Sequence, residues 1–284
     1  MNNILAKDSG AHHHMLELYH HGSSVCAAKV RFALAEKGVV PDAMHYLDIL
    51  NGEQFTEEYR KINPKAVVPA LLHDDCIILE STVICEYVND VFDGLDLVPA
   101  DPLQRSQMLI WTKAVDEQLH PACGELTFVS CHRHIVMRLP PEKLEEFLNS
   151  TPAMSVTATW HERKKEIVRL GFDAPGIDKT IRLYDSYLAK MDEALSTSDW
   201  LAGDTFSLAD VGLTPYVNRL DMLGMDGMWI AGRLPNVERW FEAIKSRPTF
   251  KTEFLDWCPE KLTSDLKTFG TQSWPDVKRI IGLD

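Results

Sequence analysis

The stretch Leu16-Glu17-Leu18-Tyr19-His20-His21-Gly22-Ser23-Ser24-Val25-Cys26 constrains the fold more than any other part of the chain. It opens with alternating apolar positions, breaks at Gly22-Ser23-Ser24, and continues into a run ending Phe32-Ala33-Leu34-Ala35-Glu36-Lys37, closed by Gly38. The pattern predicts strand, turn and helix, with Ser24 and Cys26 at the helix start. Unpaired backbone N–H groups and the positive end of the helix dipole favour negative charge there, and a thiolate so placed has a lowered pKa. The same residues also read as a capping serine followed by a small buried cysteine.

A chain of 284 residues is long enough for two domains, and its 45% hydrophobic content is ordinary for globular cores. The net charge of −13 argues against nucleic acid or an anionic membrane surface as partner, because either needs a basic patch to displace counterions. Apolar runs fall short of the roughly 20 residues of a membrane span, and the first residues lack the order of a signal peptide, so a cytoplasmic protein is expected. Six cysteines without a C-x-x-C pair predict free thiols. Residues 1–14, with His12-His13-His14, read as a disordered leader.

Met44-His45-Tyr46-Leu47-Asp48-Ile49 predicts a second strand, and Phe55, Tyr59 and Ile62 follow at helical spacing. After the Asn63-Pro64 break, residues 65–73 and Cys76-Ile77-Ile78-Leu79 read as a hairpin turning at Asp74-Asp75. Pro69 belongs at a strand start, an edge or a tight turn. A cis Val68–Pro69 bond would leave the Val68 backbone facing outward, able to pair with an extended peptide. Ser81 is expected to cap a further helix through Val83, Ile84, Tyr87, Val88 and Val91. Two helix starts converging beyond one sheet describe an anion site.

The pattern predicts an α/β unit over 15–92, a linker over 93–102 and an all-α unit with a C-terminal extension over 103–284. Apolar residues recur at helical spacing from Met108 to Leu119, from Ile181 to Leu195 and from Val237 to Ile244. Ser207 and Asp210 predict a capping box, a matter of stability rather than catalysis. Cys131-His132-Arg133-His134 lacks further metal ligands at suitable spacing, so no metal is expected. Residues 120–175 read as an insertion lying over a site. Within it Trp160, His161 and Arg163 are candidates to meet an aromatic ligand, although a solvated helix face suits the latter two as well. The tail from Trp257, with aromatics at no clear period, predicts a strap that caps a pocket.

Ser24 at the first helix, Val68-Pro69 before the hairpin and Glu80-Ser81 before the last helix, in the order β-α-β-α-β-β-α, resemble the thioredoxin-like half of a glutathione transferase. The resemblance covers residues 16–260 and implies a thioredoxin-like N-terminal domain joined to a helical domain. It implies that Ser24 stabilises the glutathione thiolate, that Val68–Pro69 is cis with the Val68 backbone on the cysteinyl amide, and that Glu80 and Ser81 hold the γ-glutamyl group. Ser23, Lys65 and Val67 would belong to the same glutathione cradle. Ile62-Asn63-Pro64, Val68-Pro69-Ala70-Leu71, the segment 80–87, Pro99-Ala100-Asp101-Pro102 and Trp111-Thr112-Lys113 with Val115-Asp116-Glu117 are similar to the bacterial F-type lignin β-etherases. Those enzymes are less serine- and cysteine-like at the first helix, where Ser24-x-Cys26-x-x-Lys29-Val30-Arg31 instead resembles the zeta-like classes. Cys26 there matches the reactive cysteine of glutathione-dependent reductive dehalogenases.

A free thiol with a pKa of about 8.5 needs a fall of about two units to be mostly thiolate at neutral pH, roughly 2.7 kcal/mol. One hydroxyl bond to the charged sulfur, about 1.5–3 kcal/mol, together with a helix end, is of that size. The implied reaction is cleavage of a β-aryl ether with glutathione as cosubstrate, Ser24 and Cys26 being the candidate catalytic residues. The alternatives are a zeta-like isomerase or reductive dehalogenase, or a non-catalytic subunit of a heterodimer. The resemblance further implies a small aromatic substrate and a homodimer or heterodimer.

Overall fold

In the computed structural model, residues 15–152 and 155–283 are described. The predicted leader and its histidines lie outside them. β1 (Leu16–His20) alternates buried and half-buried positions, as a strand with one face in a core must. It pairs in parallel with β2 (Ala43–Tyr46) and antiparallel with β3 (Ala70–His73), which pairs with β4 (Cys76–Ile78), giving the order β2-β1-β3-β4. α1 (Val25–Glu36), α2 (Glu57–Ile62) and α3 (Ser81–Val91) complete this thioredoxin-like unit.

β2 ends before the expected Ile49, because the Asp48 carboxylate accepts from the Leu50 and Asn51 N–H groups and turns the chain. Ser81 does not cap α3 as expected. Glu80 occupies the cap with φ 67° and no side-chain bond to the helix, and Ser81 becomes the first helical residue.

The rest is helical. α4 (Pro102–Ala114), α5 (His120–Thr127) and α6 (Arg133–Val136) form one run interrupted by π-helical turns at Val115–Leu119 and Phe128–His132. Then come α7 (Pro141–Asn149), α8 (Trp160–Leu170), α9 (Ile177–Ala194), α10 (Leu208–Met222), α11 (Pro235–Lys245), α12 (Pro248–Phe250) and α13 (Glu260–Ile281).

α1 is buried all round from Ala27 to Leu34, because α3, α10, α12 and the π-helical turn Lys251–Leu255 pack against it. α10 is buried from Leu208 to Leu220 and starts at the predicted capping box, Ser207 with Asp210. The Asp210 carboxylate also accepts from Leu201 N–H and Trp240 Nε1–H. Each large apolar side chain buried in this joint core contributes about 1.5–3 kcal/mol, so the two units share one hydrophobic foundation.

The tail corrects the expectation of an aperiodic strap. α13 spans 22 residues, and its buried stripe is Leu262, Leu266, Gly270, Ser273, Val277 and Ile280, while Phe269 and Trp274 flank it half-buried. The aromatics therefore hid the period. Gly270 sits where a Cβ would come 2.2 Å from the Leu223 carbonyl oxygen, so only glycine permits this approach to the end of α10.

Candidate functional site

The turn that leads out of β1 brings the backbone to the start of α1, where Ser24 takes extended φ/ψ angles and caps the helix. Its Oγ accepts from the Ala27 N–H at 3.2 Å. A hydroxyl has two acceptor sites and one proton, so this bond leaves the Ser24 O–H free to donate to an anion. The capping and thiolate-binding readings of Ser24 are compatible.

Cys26 is part-buried in the first turn of the same helix. Its Sγ lies 3.4 Å from His120 Nδ1, 3.7 Å from His120 Nε2 and 4.0 Å from the Tyr216 hydroxyl. Burial pushes the Cys26 thiol up, but the His120 charge and hydrogen bond, with Lys29 and a bond to Ser81, outweigh it and bring the pKa down to about 7. His120 responds in the opposite sense, burial lowering it and the Cys26 thiolate raising it to a net rise. Each group thus favours the charged form of the other, thiolate and imidazolium. Lys29 Nζ donates to Thr82 Oγ1 at 2.7 Å and reaches Asp116 at 3.4 Å, which ties α1 to α3 and to the π-helical turn after α4.

A cavity opens against this helix end. Ser23, Ser24, Val25, Val67 and Val68 form its floor, and the helical unit supplies Phe128, Phe147, Val156 and Trp160 with His120, His132, Lys164 and Arg219. The Val68–Pro69 bond is cis. Pairing between β1 and β3 ends at Tyr19 and Ala70, so Val68 lies beyond the ladder. The Val67 carbonyl is held by Tyr59 Oη at 2.7 Å and Asn63 Nδ2 at 2.8 Å, which fixes this corner from α2.

Among the sequence candidates, Ser23, Ser24, Val67 and Val68 meet at the cavity, and Ser81 stands against Cys26. Lys65 and Glu80 form an exposed ion pair at 2.6 Å outside the lining. Pro69 leads into β3. Trp160 lines the cavity, whereas His161 bonds the Thr151 carbonyl and Arg163 pairs with Glu125 and Glu166. Residues 120–175 provide much of the wall, as expected of an insertion over a site, but no residue of the tail beyond 257 lines it. No cluster of potential metal ligands occurs among the described residues. No described helix is long and apolar enough to cross a membrane. All six cysteines are free thiols.

Sequence reading missed His120, Lys164 and Arg219. Cys26 and His120 are 94 positions apart, and no local spacing announces the pair. Lys164 is buried among Phe147, Phe55 and the Thr151 hydroxyl, and burial first, then Lys165, lowers its pKa to about 7. His132, from the cysteine–histidine cluster of the sequence, faces the cavity instead of a metal. It is buried, and burial with the nearby Arg219 charge keeps it neutral.

Comparison with known proteins finds the glutathione S-transferase N-terminal domain over residues 23–91 and the C-terminal domain over 174–243. The protein LigF of Sphingobium sp. is 33% identical over 244 residues, covering 84% of this chain and 93% of that protein. The tetrachloro-p-hydroquinone reductive dehalogenase of Sphingobium chlorophenolicum is 27% identical, covering 84% and 94%. The crystal structure of the β-etherase LigF superposes with a TM-score of 0.76 at 32% identity, covering 84% of this chain and 98% of that one.

Proposed function

The chain belongs to the glutathione S-transferase family, and from that premise we propose that it cleaves β-aryl ethers of lignin-derived aromatic compounds with glutathione as cosubstrate. The local structure fits that tripeptide. Val68 offers backbone beyond the end of the ladder, and Ser24 offers a hydroxyl proton at a helix N-terminus. Ser81 begins a second helix beside the first, where a carboxylate is favoured. In this reading Ser23, Lys65, Val67, Pro69 and Glu80 complete the cradle.

Glutathione supplies the thiolate that attacks the β-carbon, the new C–S bond forming as the C–O bond breaks and its electron pair departs on a phenolate oxygen. The chain's part is to hold and to shield. Ser24 donates its proton toward the sulfur position, worth about 1.5–3 kcal/mol for a bond to a charged acceptor. Phe128, Phe147, Val156 and Trp160 exclude water and present apolar and aromatic faces to an aryl group.

The observation that carries this reading is the position of the aromatic-lined cavity, which opens directly onto Ser24 and Val68. Incubation with glutathione and a β-aryl ether ketone should yield a glutathione thioether and a phenol in equal amounts. Absence of both products, with glutathione binding intact, would refute the etherase assignment.

The Cys26–His120 pair favours a second reading, a reductive cycle of the dehalogenase kind. In it the Cys26 thiolate attacks the sulfur of a glutathionyl–substrate conjugate, and the C–S bond breaks with its electron pair going to carbon, which takes a proton from solvent. A second glutathione then releases Cys26 from the mixed disulfide, forming oxidised glutathione. Cys26→Ser separates the two, retaining most etherase turnover in the first and abolishing product release in the second.

A dimer, of identical or related chains, is part of the proposal. Ile77 on β4, Val83 and Val91 on α3, and Leu103, Leu109 and Ile110 on α4 are exposed large apolar side chains that a partner would cover. A monomer in sedimentation at micromolar concentration would contradict it.

A further inference from the structure

The chain carries 42 acidic against 29 basic residues, yet no carboxylate among the described residues lines the cavity, whereas two basic side chains, Arg219 and Lys164, do. Arg219 rises from α10 and is 3% exposed. Its Nη2 donates to the Ser23 carbonyl in the turn before α1. Its Nε and Nη1 have no hydrogen-bond partner among the described residues, and neither has His132 Nε2 on the same cavity. Lys164 is spoken for, since its Nζ donates to the Phe147 carbonyl and the Thr151 hydroxyl.

A buried guanidinium with two unpartnered nitrogens, carrying three N–H donors, is costly, and protein interiors ordinarily meet such a charge with a carboxylate. Holding one carbonyl would need one donor, not a fork. An anion arriving with the ligand satisfies the remaining donors, and the planar guanidinium suits an oxyanion. The surrounding wall of Phe128, Phe147 and Trp160 limits that ligand to an apolar, aromatic body.

We propose that Arg219, with His132 on the same wall, is the binding site for an aryl oxyanion, the negatively charged oxygen of a phenolate or of an aromatic carboxylate. The site deepens the etherase reading, because a departing phenolate is such an anion and Arg219 would stabilise it as the C–O bond breaks. Arg219 also touches the turn that carries Ser24, so leaving-group oxygen and thiolate are served from neighbouring points of one cavity.

The test is equilibrium binding to the full chain of 4-nitrophenolate, benzoate and, as a neutral aromatic of similar size, nitrobenzene, with no turnover required. The wild type should bind one or both anions at least about tenfold more tightly than nitrobenzene. Arg219→Gln should weaken the anions about 10- to 100-fold while nitrobenzene changes by less than about twofold, and Arg219→Lys should recover part of the loss. Preference for 4-nitrophenolate would assign the site to a phenolate, and preference for benzoate to a substrate carboxylate. No preference for either anion in the wild type would overturn the proposal without recourse to any variant. Parallel loss of all three ligands in both variants would overturn it in favour of a purely structural arginine. Failure to cleave aryl ethers, with the anion preference intact, would remove the etherase reading and leave the site standing.

Discussion

The two walls of the cavity are built on different principles. The floor from the sheet unit works mainly through backbone: the start of α1 at Ser24, which adds its hydroxyl, and the end of the β1–β3 ladder at Val68, with the start of α3 at Ser81 behind them against Cys26. The helical wall works through side chains drawn from distant points, His120 and His132 beside π-helical turns, Lys164 on α8 and Arg219 on α10. A π turn shifts the helical register and re-aims the residues beyond it, which is one way to present side chains off the regular stripe. Apart from the Ser24 hydroxyl, the groups of the floor are backbone and survive most side-chain substitutions. Each polar group of the helical wall is a side chain that a single substitution removes.

The largest effect that would break this contrast lies under the helical wall. Asp210→Ala removes the acceptor for the Leu201, Ser207 and Trp240 donors in a fully buried site, and should cost at least about 3 kcal/mol of unfolding free energy in urea titration. A cost below about 1 kcal/mol would mean that α10, and with it Arg219, is held by packing alone.

On the floor, Ser24→Ala should lower kcat/KM about 10- to 100-fold by loss of the donor to sulfur, with about 1 kcal/mol lost in stability from the missing cap. An unchanged kcat/KM would move the activating role to Cys26 or His120.

Behind the floor, Cys26 meets His120 of the helical wall. The Cys26 pKa is depressed from 9.0 to about 7, so the reactive thiolate persists above that pH and is lost as pH falls through it. Residue-resolved alkylation by iodoacetamide should therefore show a midpoint near pH 7 at Cys26, moving upward in His120→Gln. A wild-type midpoint near 9 would dissolve the pair.

The smallest effect belongs to Lys65→Ala. Its ion pair with Glu80 is exposed, so stability should change by less than about 1 kcal/mol and glutathione affinity by no more than about fivefold. A larger loss of affinity would place Lys65 on the tripeptide itself.

Legibility in the sequence obeys the same divide. Ser24, Val68-Pro69 and Ser207 with Asp210 carry short-range signals, a cap, a strand-start proline and a capping box, and all lie where those signals put them. Ser81 is displaced by one residue because the backbone turns at Glu80 with a positive φ, which neither residue type announces. α13 escapes because its buried stripe runs through Gly270 and Ser273, small residues that carry almost no hydrophobic signal and are needed for close helix approach.

By itself, the sequence determined the strand-turn-helix start, the hairpin and the helices with strong periodicity, because each depends on residues a few positions apart. The tertiary structure alone decided that Cys26 meets His120 and that Arg219 reaches the Ser23 carbonyl from 196 residues away. Burial and charge pairing set the chemistry of those groups, and both arise only when distant segments exclude water around them.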